Sequence, residues 1–162
     1  MIFKWLLGKR KKARFSTPSK KTVKRIARKV VHGEHYNLQE IYDQVNALYF
    51  EGRVDVQITW FGSQKRAARR RRTLGLYDFN SKLIKIHRLL DQPHFPSYFI
   101  SYVVYHEMLH HLFPPYPPKR GRRKIHHADF KRHEKKFAEY SLAKEWEKEN
   151  HQIFFSKKGG RR

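Results

Sequence analysis

Apolar side chains after Asn37 recur every three or four residues, which is the spacing of one face of a helix. Asn37 is a favourable N-cap, and Glu40 stands at the position of a capping-box partner. Gly52 is typical of the residue that follows a helix end. The sequence therefore predicts an amphipathic helix between Asn37 and Gly52, with an apolar face formed by Leu38, Ile41, Tyr42, Val45, Leu48 and Tyr49.

Beyond Gly52 the apolar positions alternate with polar ones, which is the period of a half-buried strand. The alternating apolar residues are Val54, Val56, Ile58 and Trp60. Residues 73–79 and 82–87 predict two more strands, joined by a tight turn at Asn80-Ser81. We expect these strands to form a small antiparallel sheet.

Two longer helices are predicted after the strands. Residues 98–113 form a mostly apolar run that predicts a buried helix, which Pro114 must end because proline cannot continue the turn. Residues 128–150 predict a last helix, whose core face is formed by Phe130, Phe137, Tyr140 and Trp146. The expected fold is α+β, with the small sheet packed against three main helices in one domain, residues 35–150.

The charge of the chain indicates a polyanionic partner. Thirty-seven Lys and Arg against fourteen Asp and Glu give a formal net charge of +23, and nucleic acid is the leading candidate for such a surface. Residues 1–34 predict a flexible basic arm, and residues 151–162 a basic tail. The expected phosphate contacts lie in the arm and in the basic loop 65–72: Lys9, Arg10, Lys11, Lys12, Arg69, Arg70, Arg71 and Arg72.

Cysteine is absent from the sequence, which excludes a disulfide framework and a thiolate metal site. The apolar opening, residues 1–7, is too short and too interrupted for a signal peptide or a membrane span. We therefore expect a soluble protein that is not secreted, located in the cytoplasm or nucleoid of a bacterium or in the nucleus of a eukaryote.

The motif His106-Glu107-Met108-Leu109-His110 carries the strongest chemical signal. Spacing of four residues stacks His106 and His110 on one helical face, where both imidazoles can bind one Zn²⁺ while Glu107 acts as general base. Glu107 is the one charged residue between Asp91 and Lys119. A carboxylate in so apolar a helix is unfavourable unless it is paired, protonated or beside a metal. The alternative is a purely structural role, in which two core histidines lie beside a structural glutamate.

A catalytic zinc usually takes three protein ligands and leaves a fourth position open. His126 and His127 are the available suppliers, because both stand just before the last helix, where the chain returns toward the motif. His111 points about a hundred degrees away from His110 around the helix. It therefore cannot share the metal with both motif histidines, and we expect a supporting role for it.

These segments together resemble the SprT-like, or Spartan-related, zinc metallopeptidase domain. The resemblance covers about Asn37 to Trp146 and rests on YHEMLHHLFPP, HHADF, NALYFEG, VQITWFG and GLYDFNSKLIKI. It implies a zincin-like helix bearing the motif and a third ligand at the start of a His, Gly, two-residue, aromatic pattern. With Phe130 as the aromatic, that ligand is His126, and His127 occupies the usual glycine position. His127 stays the alternative ligand.

The resemblance also implies a function, proteolysis of proteins at or crosslinked to DNA, as in DNA repair. We therefore expect Zn²⁺ as cofactor, and DNA, including single strands, and DNA-bound proteins as partners. Two other interpretations remain open. One is a nucleic-acid-binding protein with a structural or vestigial metal site. The other is a zinc-dependent ribonuclease, because a metal-activated water can also attack phosphodiesters.

Overall fold

The computed structural model of the chain describes residues 30–64, 73–115 and 125–154. Within these ranges the chain forms four α-helices and three β-strands. In chain order they are α1 (Leu38–Phe50), β1 (Gln57–Phe61), β2 (Gly75–Asp78), β3 (Leu83–His87), α2 (Ser97–Leu112), α3 (Ala128–Glu134) and α4 (Tyr140–Glu149), with short 3₁₀ helices at Arg88–Leu90 and His151–Phe154. This composition confirms the predicted α+β class.

Helix α1 begins at the predicted N-cap. The Asn37 side chain accepts a hydrogen bond from the Gln39 N–H at 3.1 Å, which satisfies a backbone donor of the first turn. Glu40 contacts the cap through the Asn37 side-chain amide, at 2.7 Å, rather than through the backbone. After Phe50 the backbone turns left-handed at Glu51 and Gly52, with φ values of 55° and 70°.

The sheet is mixed, so the expectation of an antiparallel sheet was wrong for one of its two pairings. Strands β2 and β3 form the predicted antiparallel hairpin, whereas β1 pairs with β3 in parallel. The strand order is β1-β3-β2, which places β3 at the centre. Alternation along a strand reveals a buried face but not the direction of its neighbour. That direction depends on how segments distant along the chain come together.

Helix α2 is the centre of the domain and contacts α1, α3, α4, β2 and β3. Its apolar residues are buried on almost every side, as expected for a helix without a polar face. It starts after Pro96 and ends one residue before Phe113, in agreement with the prediction. One face of the sheet covers α2 through Tyr77, Ile84 and Ile86, which are 7 % exposed or less. Most residues of α2, Glu107 and His110 included, are thus held in a packed environment.

The predicted last helix is divided into α3 and α4, which corrects the expectation of one continuous helix. The break spans residues 135–139 and contains Phe137, which is 3 % exposed. Its ring stacks 5.2 Å from Tyr49 and 5.3 Å from Tyr105, and the Ala138 N–H donates to the Tyr49 hydroxyl. Packing of Phe137 against α1 and α2 therefore accompanies the interruption. The predicted core residues Phe130, Phe137, Tyr140 and Trp146 all contact the core.

Residues 30–34, which the sequence analysis placed in the basic arm, lie against the folded domain. The Trp60 N–H donates to the Val30 carbonyl at 2.9 Å. The fully buried Asp91 carboxylate accepts hydrogen bonds from the backbone N–H groups of residues 34, 35 and 36. A buried carboxylate with several such donors is well satisfied. These bonds connect the segment before α1 to the loop before α2.

The predicted phosphate contacts Lys9 to Lys12 and Arg69 to Arg72 lie outside the described residues, as does the tail after residue 154. In the part of the chain that the structure describes, no helix combines the length and the apolar composition that a membrane span requires.

Candidate metal centre

Helix α2 carries His106, Glu107 and His110, of which His106 and Glu107 line a cavity. His106 and His110 are four residues apart, so their rings lie on the same face with centroids 5.0 Å apart. Glu107 points instead toward β2. The motif thus presents two imidazoles and one carboxylate from a single buried helix.

His126 completes a triangle of imidazoles. It lies just before α3, and its ring centroid is 5.0 Å from that of His106 and 5.0 Å from that of His110. The Nε2 atoms of His126 and His110 are 3.3 Å apart. One nitrogen from each of the three side chains lies within 4.8 Å of the others. The chain therefore brings together the two motif histidines and the histidine that the family resemblance selected.

The Phe130 ring packs against all three imidazoles of this triangle. Its ring is fully buried, and its centroid lies 5.0 Å from His106, 4.7 Å from His110 and 4.7 Å from His126. Contact with all three imidazoles restricts the ring orientations that each can adopt. The aromatic residue of the family pattern thus has a physical role here, which is to hold the rings in place.

The other two histidines of this region do not join the triangle. His127 is 3 % exposed, and its ring centroid lies 6.1 Å from that of Phe113. His111 follows Glu107 by one turn of α2, and its Nδ1 is 2.8 Å from the Tyr77 hydroxyl. His111 therefore connects α2 to β2, which agrees with a supporting role.

Glu134, the last residue of α3, is a site residue that the sequence analysis missed. One carboxylate oxygen is 2.8 Å from His106 Nδ1 and also accepts a hydrogen bond from the Tyr102 hydroxyl at 2.8 Å. Burial raises the Glu134 pKa, but the bonds from His106 and Tyr102 outweigh it and hold the pKa below its usual range. A carboxylate beside Nδ1 fixes the orientation of the His106 ring and leaves Nε2 as the nitrogen available to a metal. The sequence carried one signal for this residue: Glu134 lies four residues after Phe130, which places both on the same face of α3.

Replacement of Glu134 by glutamine should weaken metal binding without removing a ligand. The neutral amide is a weaker hydrogen-bond acceptor, so His106 is less firmly oriented and less basic. Loss of such an outer partner typically lowers metal affinity by about 10- to 100-fold. Competition with a chelator of known affinity measures the change. Glu139→Gln, on the loop between α3 and α4, is the matched control and should leave the affinity unchanged.

Two imidazoles of the triangle, those of His110 and His126, are held in their neutral form. Burial lowers the pKa of His110 to about 3, with further lowering by His106 and His126. Burial and the neighbouring His106 also lower the pKa of His126. A neutral imidazole has a nitrogen lone pair available, whereas a protonated one has none. The ring nitrogens of His110 and His126 can therefore bind a cation at neutral pH.

Glu107 is enclosed between α2 and the start of β2. It is 5 % exposed and accepts a hydrogen bond from the Tyr77 backbone N–H. Burial raises the Glu107 pKa to about 7, and His106 and the Tyr77 N–H offset this only in part. At position 75, a Cβ atom would collide with the Glu107 carboxylate. Gly75 therefore gives the carboxylate its space, a relation between distant residues that no local pattern reveals.

A cavity of about 490 Å³ opens beside His106, Glu107 and His126. Residues 73–75 line one side, α2 forms the floor, and Glu134 and α4 line the opposite side. This volume lies within the range of about 300–1,000 Å³ of small-ligand sites. This cavity, hereafter the site cavity, exposes His106, His126 and Glu107 to the solvent.

The donor set fits a zinc ion. Tetrahedral zinc with Zn–N bonds of about 2.0–2.1 Å separates two ligand nitrogens by about 3.3 Å, which is the distance between the Nε2 atoms of His110 and His126. Three imidazoles without a thiolate also match the ligands that zinc accepts in sites with an open fourth position.

A family model described as the SprT-like family matches residues 38–156. The matched segment contains all helices and strands described above. No curated protein and no solved structure matches the chain.

Proposed function

This chain belongs to the SprT-like family, and from that membership and the geometry of the site we propose that it is a zinc-dependent peptidase acting on proteins at DNA. One observation carries the proposal: three imidazoles converge beside a buried carboxylate, and His106, His126 and Glu107 line an open cavity. Such an arrangement is typical of metal-assisted hydrolysis.

In the proposed site His106, His110 and His126 hold the metal. A bound zinc ion would act as a Lewis acid that polarises the scissile carbonyl and acidifies a water. Glu107 takes a proton from the attacking water and delivers it to the leaving amine. Burial keeps Glu107 away from bulk water and favours proton uptake by its carboxylate, as a general base requires. Glu134 and Phe130 keep the imidazoles in the required orientation.

The product of the reaction separates a peptidase from a ribonuclease. Zinc-loaded protein should shorten a DNA-bound protein substrate and leave labelled RNA intact. Cleavage should stop when zinc is removed by a chelator and return when zinc is added. Electrophoresis of both labelled polymers measures the outcome. Shortening of the RNA alone would contradict the proposal and support the ribonuclease, and binding without any cleavage would support a nucleic-acid-binding protein.

The proposed DNA partner rests on the net charge of +23, which favours attachment to phosphates regardless of base sequence. Lys9 to Lys12 and Arg69 to Arg72 are the proposed contacts. On this proposal, eight such contacts would lower DNA affinity by about 10⁴-fold between 50 and 200 mM salt. Titration of a labelled duplex and of a single strand at several salt concentrations measures the slope.

Replacement of Arg69 to Arg72 by glutamine provides the control for this titration. It should reduce the slope of log K against log salt by about 3 to 4 on duplex DNA, because each released counterion contributes about 0.9. Affinity that does not change with salt would exclude attachment through phosphates.

A further inference from the structure

The site cavity extends away from the three histidines, between α2 and α4. Its floor there is apolar, formed by Phe99 and Val103 of α2, and Leu74 lines the side toward β2. Phe99 is 1 % exposed and Val103 7 %, so both are rigid parts of the core. The opposite side carries Lys144 and Glu147 of α4. This extension therefore combines an apolar floor with one charged wall.

The charges of that wall are paired within the protein. Lys144 Nζ lies 2.5 Å from a Glu147 carboxylate oxygen and 5.8 Å from the centre of the Tyr102 ring. The Glu147 side chain is 17 % exposed and that of Lys144 45 % exposed, so the carboxylate lies deeper than the ammonium. Glu134, the neighbouring carboxylate, is bonded to His106 and Tyr102. Lys144 therefore occupies the position at which a cationic ligand would meet Glu147 and the Tyr102 ring.

We propose that this cavity binds an apolar side chain of the substrate next to the cleaved peptide bond, and that Lys144 excludes basic side chains by pairing with Glu147. The inference rests on the proposed peptidase function and adds a substrate class to it. Lys144 is then a specificity-determining residue, which touches the wall of the cavity and takes no part in bond cleavage.

Apolar and basic side chains of a substrate would meet different groups in the site cavity. A leucine or phenylalanine side chain leaves water for Leu74, Phe99 and Val103, which should favour it over alanine by about 10- to 100-fold. A lysine or arginine side chain would lose hydration and meet the Lys144 ammonium, since the Glu147 carboxylate is already paired. The wild-type protein should therefore select Leu or Phe over Lys or Arg.

The test uses two series of peptides that differ only at the residue before, or only at the residue after, the cleaved bond. Ala, Leu, Phe, Lys and Glu occupy the varied position, and kcat/KM is measured for each with the zinc-loaded full chain. In one series Leu and Phe should exceed Ala by about 10- to 100-fold, and Lys should not exceed Ala. Equal values for Ala, Leu and Lys in both series would overturn the inference.

Lys144→Met is the decisive variant, because methionine keeps the apolar stem and removes the charge. Glu147 then no longer pairs with the Lys144 ammonium, and the Lys peptide should gain at least about 10-fold relative to the Leu peptide. Adding Glu147→Gln to that variant should abolish the gain. Lys148→Met, on the same helix, is the matched control and should keep the wild-type preference. A ratio unchanged in Lys144→Met would refute the role of Lys144.

Binding distinguishes failure of this inference from failure of the proposed function. The same peptides can be titrated by calorimetry into Glu107→Gln protein, which should not turn them over. A preference for Leu and Phe in binding, without cleavage by the wild type, would support the pocket and reject the peptidase. Cleavage without any preference would reject the pocket and support the peptidase.

Discussion

Glu107→Gln should lower kcat by about 10³-fold or more, while the fold and the bound metal remain. General acid–base catalysis by a positioned side chain contributes about 10²- to 10⁴-fold, and an amide can neither take a proton from water nor deliver one to the leaving amine. The Gln carbonyl can still accept the hydrogen bond that the Tyr77 N–H donates to Glu107. The measurement is turnover of a DNA-bound protein beside zinc content by elemental analysis. Full activity with full zinc content would remove Glu107 from the mechanism.

The same variant should also show that Glu107 lowers the free energy of unfolding of the metal-free protein. Folding raises the pKa of this carboxyl from 4.5 to about 7 because burial disfavours its charged form. Below pH 4.5 the group is protonated in both states and has no effect. Between pH 4.5 and 7 the unfolded chain releases the proton first, so stability is lost as pH rises. Urea unfolding without metal should therefore favour Glu107→Gln over wild type above pH 7, with no difference near pH 4.

His126→Ala should reduce zinc from about one ion per chain to almost none. Two imidazoles on α2 leave a catalytic-type zinc one ligand short, and His126 is the residue whose nitrogen lies 3.3 Å from that of His110. The loss of affinity should exceed the factor of about 10 to 100 that follows removal of an outer partner. Elemental analysis after exhaustive dialysis gives the stoichiometry. Circular dichroism establishes that the variant is folded.

His127→Ala is the matched control, because it removes the neighbouring imidazole that the sequence left as the alternative ligand. His127 lies near Phe113 rather than in the triangle, so this variant should retain its zinc even if it is less stable. His106→Ala provides the positive control for loss of the metal. Zinc retained in His126→Ala and lost in His127→Ala would reverse the assignment of the third ligand.

Local patterns in the sequence were sufficient to locate most elements of the fold. The cap at Asn37, the alternation before Trp60 and the apolar run of α2 depend on neighbours within a few residues, and all three predictions are confirmed. The parallel pairing of β1 with β3 was not foreseen. Neither was the break around Phe137. Both depend on contacts between segments that are distant along the chain, about which periodicity carries no information.

The same distinction between local pattern and tertiary packing applies to the residues of the site. Spacing of four residues places His106 and His110 on one helical face and Glu107 beside them, so this part of the chemistry was readable from α2 alone. The family resemblance selected His126, whose place in the triangle was visible only after α3 packed against α2. The roles of these residues as zinc ligands stay a prediction. Glu134 and Gly75 acquire their importance from packing alone, since burial, close approach and hydrogen-bond partners arise only when remote segments meet.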